Sequence, residues 1–120
     1  MPAVKRFEEL DAWKKSRKLA CEIYMITREG SLNKDFRLCD QIQRASVSVM
    51  SNIAEGFGYK SDKQFIHYLN ISRSSGYEVQ SLLYVALDVG HINDATFERL
   101  YTLAEDAISK IAGLQRYLRS

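Results

Sequence analysis

The sequence predicts an all-α fold, an up-down-up-down antiparallel four-helix bundle, and three observations predict it. The single proline stands at position 2, and every glycine except Gly76 falls near an expected helix end or toward the C-terminus, so long helices can run between them. Apolar residues recur with helical period over four long stretches. No stretch sustains the alternation of a strand, so no sheet is expected.

The first helix is expected over 11–29, closed by Gly30 in a left-handed conformation. Ala12, Trp13, Leu19, Ala20, Ile23, Tyr24, Ile26 and Thr27 share one arc of about 140° at 100° per residue, which makes it a core face. The second is expected over 34–56 after Asn33 as N-cap. It carries two apolar faces: Leu38, Cys39, Ile42, Ala45, Ser46, Val49 and Ile53 form one, and Phe36, Val47, Met50 and Ala54 form another. The third, over 61–89, opens with Ser61 and Gln64 at capping-box spacing and ends before Gly90. Its main face runs from Phe65 to Leu87 through the small residues Ser72, Ser75 and Gly76, where a neighbouring helix can approach closely, and Ile66, Arg73, Tyr77 and Tyr84 lie off that face. The fourth, over 94–118, has one stripe from Phe97 to Leu118 and a solvated opposite side.

Short linkers make consecutive helices antiparallel neighbours. One bundle cannot bury the second faces of helices two and three, so Phe36, Val47, Met50, Ile66, Tyr77 and Tyr84 are expected to form an interface in a homo-oligomer. A length of 120 residues leaves room for one domain spanning 1–120. A composition that is 46% hydrophobic and 27% charged excludes disorder. A net charge of +2 commits the whole molecule to neither nucleic acid nor membrane, so any basic site is local. The longest apolar run, Leu82 to Leu87, is too short to span a bilayer. Two cysteines and no apolar leader point to a reducing cytoplasm, and their positions on different sides of helices one and two argue against a disulfide.

Within the second helix, Gln41-Ile42-Gln43-Arg44-Ala45-Ser46-Val47-Ser48-Val49 followed by Asn52-Ile53-Ala54-Glu55-Gly56 resembles the signature of the bacterial 23S ribosomal RNA intervening-sequence proteins, a four-helix-bundle family. Phe7, Leu10 and Trp13, the Ser61–Phe65 segment with Tyr68-Leu69, and Ser72-Arg73-Ser74-Ser75 with Glu78 resemble the family's other motifs, so the likeness covers almost the whole chain. It departs at Ser72, Ser74 and Gln80, where Ala, Gly and Glu are expected. The resemblance implies a homopentameric ring around a channel. It also implies kinship with accessory proteins of diversity-generating retroelements, which bind a reverse transcriptase and nucleic acid. It implies no enzymatic activity.

If helices two and three form a hairpin turning near Tyr59, then Arg44, Ser48, Asn52 and Glu55 face Ser75 and Glu78, which predicts a structural polar seam in which Arg44 reaches Glu78. The turn from Gly56 to Ser61 fails as a Walker loop, because Tyr59 and not glycine precedes Lys60 and a helix comes before it. Capping explains that turn better than anion binding by Lys60 and Lys63, and its glycines are expected to supply positive backbone angles. The sharpest charge feature is the arc of Lys14, Lys15, Arg17, Lys18 and Arg28 opposite the first helix's core face, interrupted by Glu22. A solvated face is its plain reading. Repetition around a ring pools weak phosphate contacts, and the arc is then expected to bind RNA or DNA backbone without base readout. Tyr77 and Tyr84 with Arg73 offer a stacking surface, although interface packing explains them better.

His67 has no acid or histidine one helical turn away, Asp88 and His91 straddle the helix-ending Gly90, and no nucleophile, base and acid can be grouped from spacing. The expectation is a non-catalytic, cofactor-free and metal-free oligomeric module that binds RNA or DNA. The alternative is a scaffold that holds a protein partner such as a reverse transcriptase without contacting nucleic acid.

Overall fold

The computed structural model describes residues 2–120. Four long helices, α1 (Asp11–Ile26), α2 (Phe36–Gly58), α3 (Asp62–Asp88) and α4 (Asp94–Arg119), account for the chain between short 3₁₀ turns at Phe7–Glu9 and Leu32–Lys34. No strand occurs among the described residues. The 27 residues of α3 span about 40 Å at 1.5 Å per residue, close to the 44 Å long axis of the molecule.

Each helix packs on its neighbours in the chain, and α1 also packs on α4. Cross-helix partners descend along one helix as they ascend along the next: Tyr59 meets Tyr68, Val49 accepts from Ser72, and Gln41 meets Glu78. The α3–α4 contacts Arg73–Gln115 and Gln80–Glu105 follow the same rule, as do the α1–α4 pairs Lys15–Asp106 and Glu22–Arg99. The predicted faces form one apolar cluster, with Leu19, Ile23, Val49, Ile53, Phe65, Leu69, Leu83, Leu100 and Ile111 fully enclosed. Trp13 is half-buried, edge-on to Phe7 at 5.2 Å. Tyr24, expected in the core, is exposed.

The helix ends differ from the expected 29, 34, 56, 61, 89 and 118 in instructive ways. α1 stops at Ile26, where the backbone passes into i→i−3 turns as Arg28 donates to the Met25 carbonyl and Glu29 to that of Ile26, and Gly30 takes φ +56° inside the connection and not at a helix terminus. The N-cap of α2 is Asp35, whose carboxylate accepts the Leu38 N–H, while Asn33 donates to the Thr27 carbonyl. Leu32, in the connection, is as buried as any core residue. α2 runs through Gly56 to Gly58, so the positive φ expected of those glycines falls on Lys60 at +57°. Gly56 serves close approach instead: a Cβ there would stand 2.7 Å from Cβ of Tyr68. Gly76 does the same against Ile108 of α4. The departures from the family motif have partners of their own. Ser72 donates to the Val49 carbonyl, and Gln80 donates to Glu105 at 2.8 Å, where a glutamate would meet like charge.

Candidate functional site: the basic face of α1 and the end of the helices

α1 presents its charged arc between the edges facing α2 and α4. Lys14, Arg17, Lys18 and Arg28 are exposed on it. The two residues nearest α4 are drawn across to that helix: Lys15 pairs with Asp106 at 3.3 Å, and Glu22 forms an ion pair with Arg99. The acid that interrupts the arc in sequence is thus neutralised at its edge, and Lys15 belongs to that edge. Arg17 lies over the Trp13 ring at 5.7 Å, which holds its guanidinium on the outer face. Beside this arc a groove between α1 and α2 is lined by Arg17, Ala20, Cys21, Tyr24, Arg28 and Met50. The free thiol of Cys21 is exposed, whereas Cys39 is buried, donates to the Leu32 carbonyl at 3.0 Å, and has its pKa raised by burial and then by the charge of Asp35.

The expected interface residues separate into groups. Phe36 is exposed at the start of α2, Val47 is exposed farther along it and Met50 is half-buried, and exposed Tyr24 and Met25 of α1 border Met50. Sequence reading missed Met25 and misplaced Tyr24. On the opposite helix pair Tyr77 and Tyr84 are both exposed, Tyr84 with one side against Phe97 and Tyr101 at 4.7 and 5.9 Å, whereas Ile66 packs on the core. Arg73 donates to Gln115 at 2.9 Å, so its guanidinium is held by α4 and leaves the expected stacking surface, while the Tyr77 and Tyr84 rings remain exposed.

The polar seam forms without its arginine. Ser48 and Ser75 hydroxyls meet at 2.8 Å, and Asn52 donates back to Ser48 at 2.9 Å. Gln41, not Arg44, donates to Glu78 at 3.3 Å. Arg44 is exposed and paired with Asp40 one turn earlier at 3.0 Å, an i,i+4 acid on its own helix. Glu55 is exposed as well. Lys60 lies over Phe57 at 4.4 Å and Ser61 caps α3, so the α2–α3 turn uses its cation and hydroxyl internally.

Spacing gave no hint of one cluster. At the end where α1 finishes and α2 begins, Ser31 Oγ meets His91 Nδ1 at 2.7 Å, and His91 Nε2 meets Asp35 Oδ2 at 2.9 Å. These side chains come from two connections, and only folding unites them. Asp35 is held below the ordinary carboxylate range, first by the His91 hydrogen bond and then by the Leu38 N–H. Its contribution to stability is therefore present above the unfolded carboxyl pKa and lost as pH falls through the lower folded value. Asp35→Asn should lower stability at neutral pH, and chemical denaturation at decreasing pH should bring the two proteins together in acid. A pH-independent gap would contradict this linkage. Among the described residues no group of three or more His, Cys, Asp or Glu is disposed to hold a metal, and no helix is long and apolar enough to cross a membrane.

Fold and surface together define an all-α four-helix protein with a basic outer helix. The chain belongs to the 23S rRNA-intervening sequence protein family, whose model matches residues 8–113. A solved structure of a protein of unknown function from the S23 ribosomal protein family of Bacteroides thetaiotaomicron has the same fold, with a TM-score of 0.81 at 22% identity over 88% of this chain and 95% of that one. No curated protein matches the chain.

Proposed function

We propose that the protein is a non-catalytic, ring-forming module whose pooled α1 faces bind the phosphate backbone of RNA or DNA. The observation that carries this reading is the disposition of charge on α1: Glu22 and Lys15 are paired toward α4, leaving Lys14, Arg17, Lys18 and Arg28 as the outward groups. Each phosphate so neutralised releases counterions, which makes affinity fall steeply with salt.

The opposed order of contacts along successive helices supports an up-down-up-down bundle. In such a bundle the α1–α2 patch of Tyr24, Met25, Val47 and Met50 lies on one flank, and the exposed Tyr77 and Tyr84 lie on the opposite pair of helices. Two unlike apolar patches on opposed flanks favour head-to-tail contact, which closes into rings. Five copies is the number the family resemblance implies. Ring closure brings one α1 face per copy to a common ligand, and avidity follows without any new contact.

Titrating a labelled single-stranded RNA with the protein at increasing salt tests the reading. A negative linear slope of log affinity against log salt supports it. Salt-independent affinity, or no binding together with capture of a protein partner that survives nuclease, would replace it with the scaffold. The serine, histidine and aspartate at the end of the helices make the non-catalytic part testable too. A fluorophosphonate probe is expected to leave Ser31 unlabelled, and labelling that disappears in Ser31→Ala would contradict it.

A further inference from the structure

We infer that the end of the molecule around Phe36 is a binding site for one unpaired nucleotide, whose base stacks on the Phe36 ring while Lys34 and Arg37 hold its phosphate. This inference rests on the nucleic-acid reading above and adds to it a place where bases, and not backbone alone, are engaged. Phe36 opens α2 and is 78% exposed, more than any other large apolar side chain among the described residues. Its ring does not stand on a bare surface. It borders a cavity lined also by Ser31, Lys34, Asp35, Arg37 and His91.

The electrostatics of that cavity favour an anion. Its one carboxylate is engaged twice, accepting from His91 Nε2 at 2.9 Å and from the Leu38 N–H at 3.2 Å. Lys34 and Arg37 are exposed, and no ion pair to either is found among the described residues. The remaining wall, Ser31 hydrogen-bonded to His91, is polar and fixed from two connections, so it presents a set edge to whatever lies against the ring. An exposed aromatic face flanked by cations is the arrangement that stacks bases and tracks a single strand. An acidic peptide would satisfy Lys34 and Arg37 but would leave the ring's exposure unexplained. The site lies at the end of the molecule where α1 finishes and α2 begins, the end at which the exposed Arg28 follows α1.

Fluorescence anisotropy with a single-stranded RNA, the same sequence as single-stranded DNA, and the duplex RNA tests this on the full chain. Phe36→Ala is expected to weaken both single strands by roughly 5- to 100-fold, leave the duplex unchanged, and leave the mass in solution unchanged. Phe36→Trp is expected to restore affinity and to show fluorescence quenched by the bound strand. Unchanged single-strand affinity in Phe36→Ala overturns the inference, and so does an altered mass, which would make Phe36 an interface residue. If reversing the α1 charges abolishes binding while Phe36→Ala does nothing, the end site falls and the backbone reading stands. If the wild-type chain binds none of the three probes, both fall.

Discussion

Replacing Lys14, Arg17 and Lys18 together with glutamate should lower RNA affinity by roughly two orders of magnitude or more near 50 mM salt and flatten the salt dependence. The three side chains are exposed, and the ion pairs that tie α1 to α4 use Lys15 and Glu22, so the variant should fold normally. Each phosphate contact contributes about 0.7 to 0.9 to the slope, so removing three contacts per copy reduces it by about two to three for every copy that touches the ligand. A slope that falls by only that amount would mean that a single copy binds, whereas a larger fall would mean that several copies bind together. Unchanged affinity in a folded triple variant would remove α1 from the function altogether. Lys15→Glu alone should act differently, costing stability through repulsion from Asp106 more than it costs affinity.

Gly56→Ala should destabilise the protein by about 1 to 3 kcal/mol, although alanine is favoured over glycine inside a helix by about 1 kcal/mol. The added methyl would stand 2.7 Å from Cβ of Tyr68 and 3.4 Å from Cα of Phe65. Both belong to the frame of α3 and not to a side-chain tip, so the helices themselves must part. Gly58→Ala is the control, because nothing lies within 4 Å of a Cβ there. It should be neutral or stabilising by a few tenths of a kcal/mol to about 1 kcal/mol. Thermal or urea unfolding of the two variants measures the contrast. A stabilised Gly56→Ala would mean that α2 and α3 are not pressed together at this height.

That close approach was partly legible in the sequence, and the reason shows where reading by period succeeds. Ser72, Ser75 and Gly76 announced a small-residue stretch on α3, and they do admit neighbours: Val49 and Ser48 of α2 at the serines, and Ile108 of α4 at the glycine. The core faces of α2 and α4 were equally readable, because a 3.6-residue period is a property of one helix alone. Gly56 was read as a turn residue, since a glycine near an expected helix end has the same signature whether it frees the backbone or clears space for a neighbour.

Contacts between helices were less legible. Arg44 shares a helix with both Asp40 and the seam, and sequence spacing could not weigh a partner one turn away against one on another helix. Gln115 falls inside the apolar stripe of α4, at the same helical angle as Phe97, but its polarity masked the fact that it is fully buried. It is enclosed because it accepts from Arg73 and donates to Asn70 and the Ile66 carbonyl, all of them on α3. Ser31, Asp35 and His91 lie in connections, where no period operates, and the pairs are 60 and 56 residues apart in the chain. The basic arc was the most legible part of the site. Its edges were not, because which cations remain outward depends on Asp106 and Arg99 of α4.

Pooling of charge requires copies to assemble, so the mass of the purified chain in solution, measured by light scattering at the concentrations used for binding, decides most directly. The account predicts a discrete multiple of 13.8 kDa, five chains for the ring that the resemblance implies, with RNA bound to that species. A single 13.8 kDa particle that binds RNA as tightly as the wild-type titration requires would contradict it.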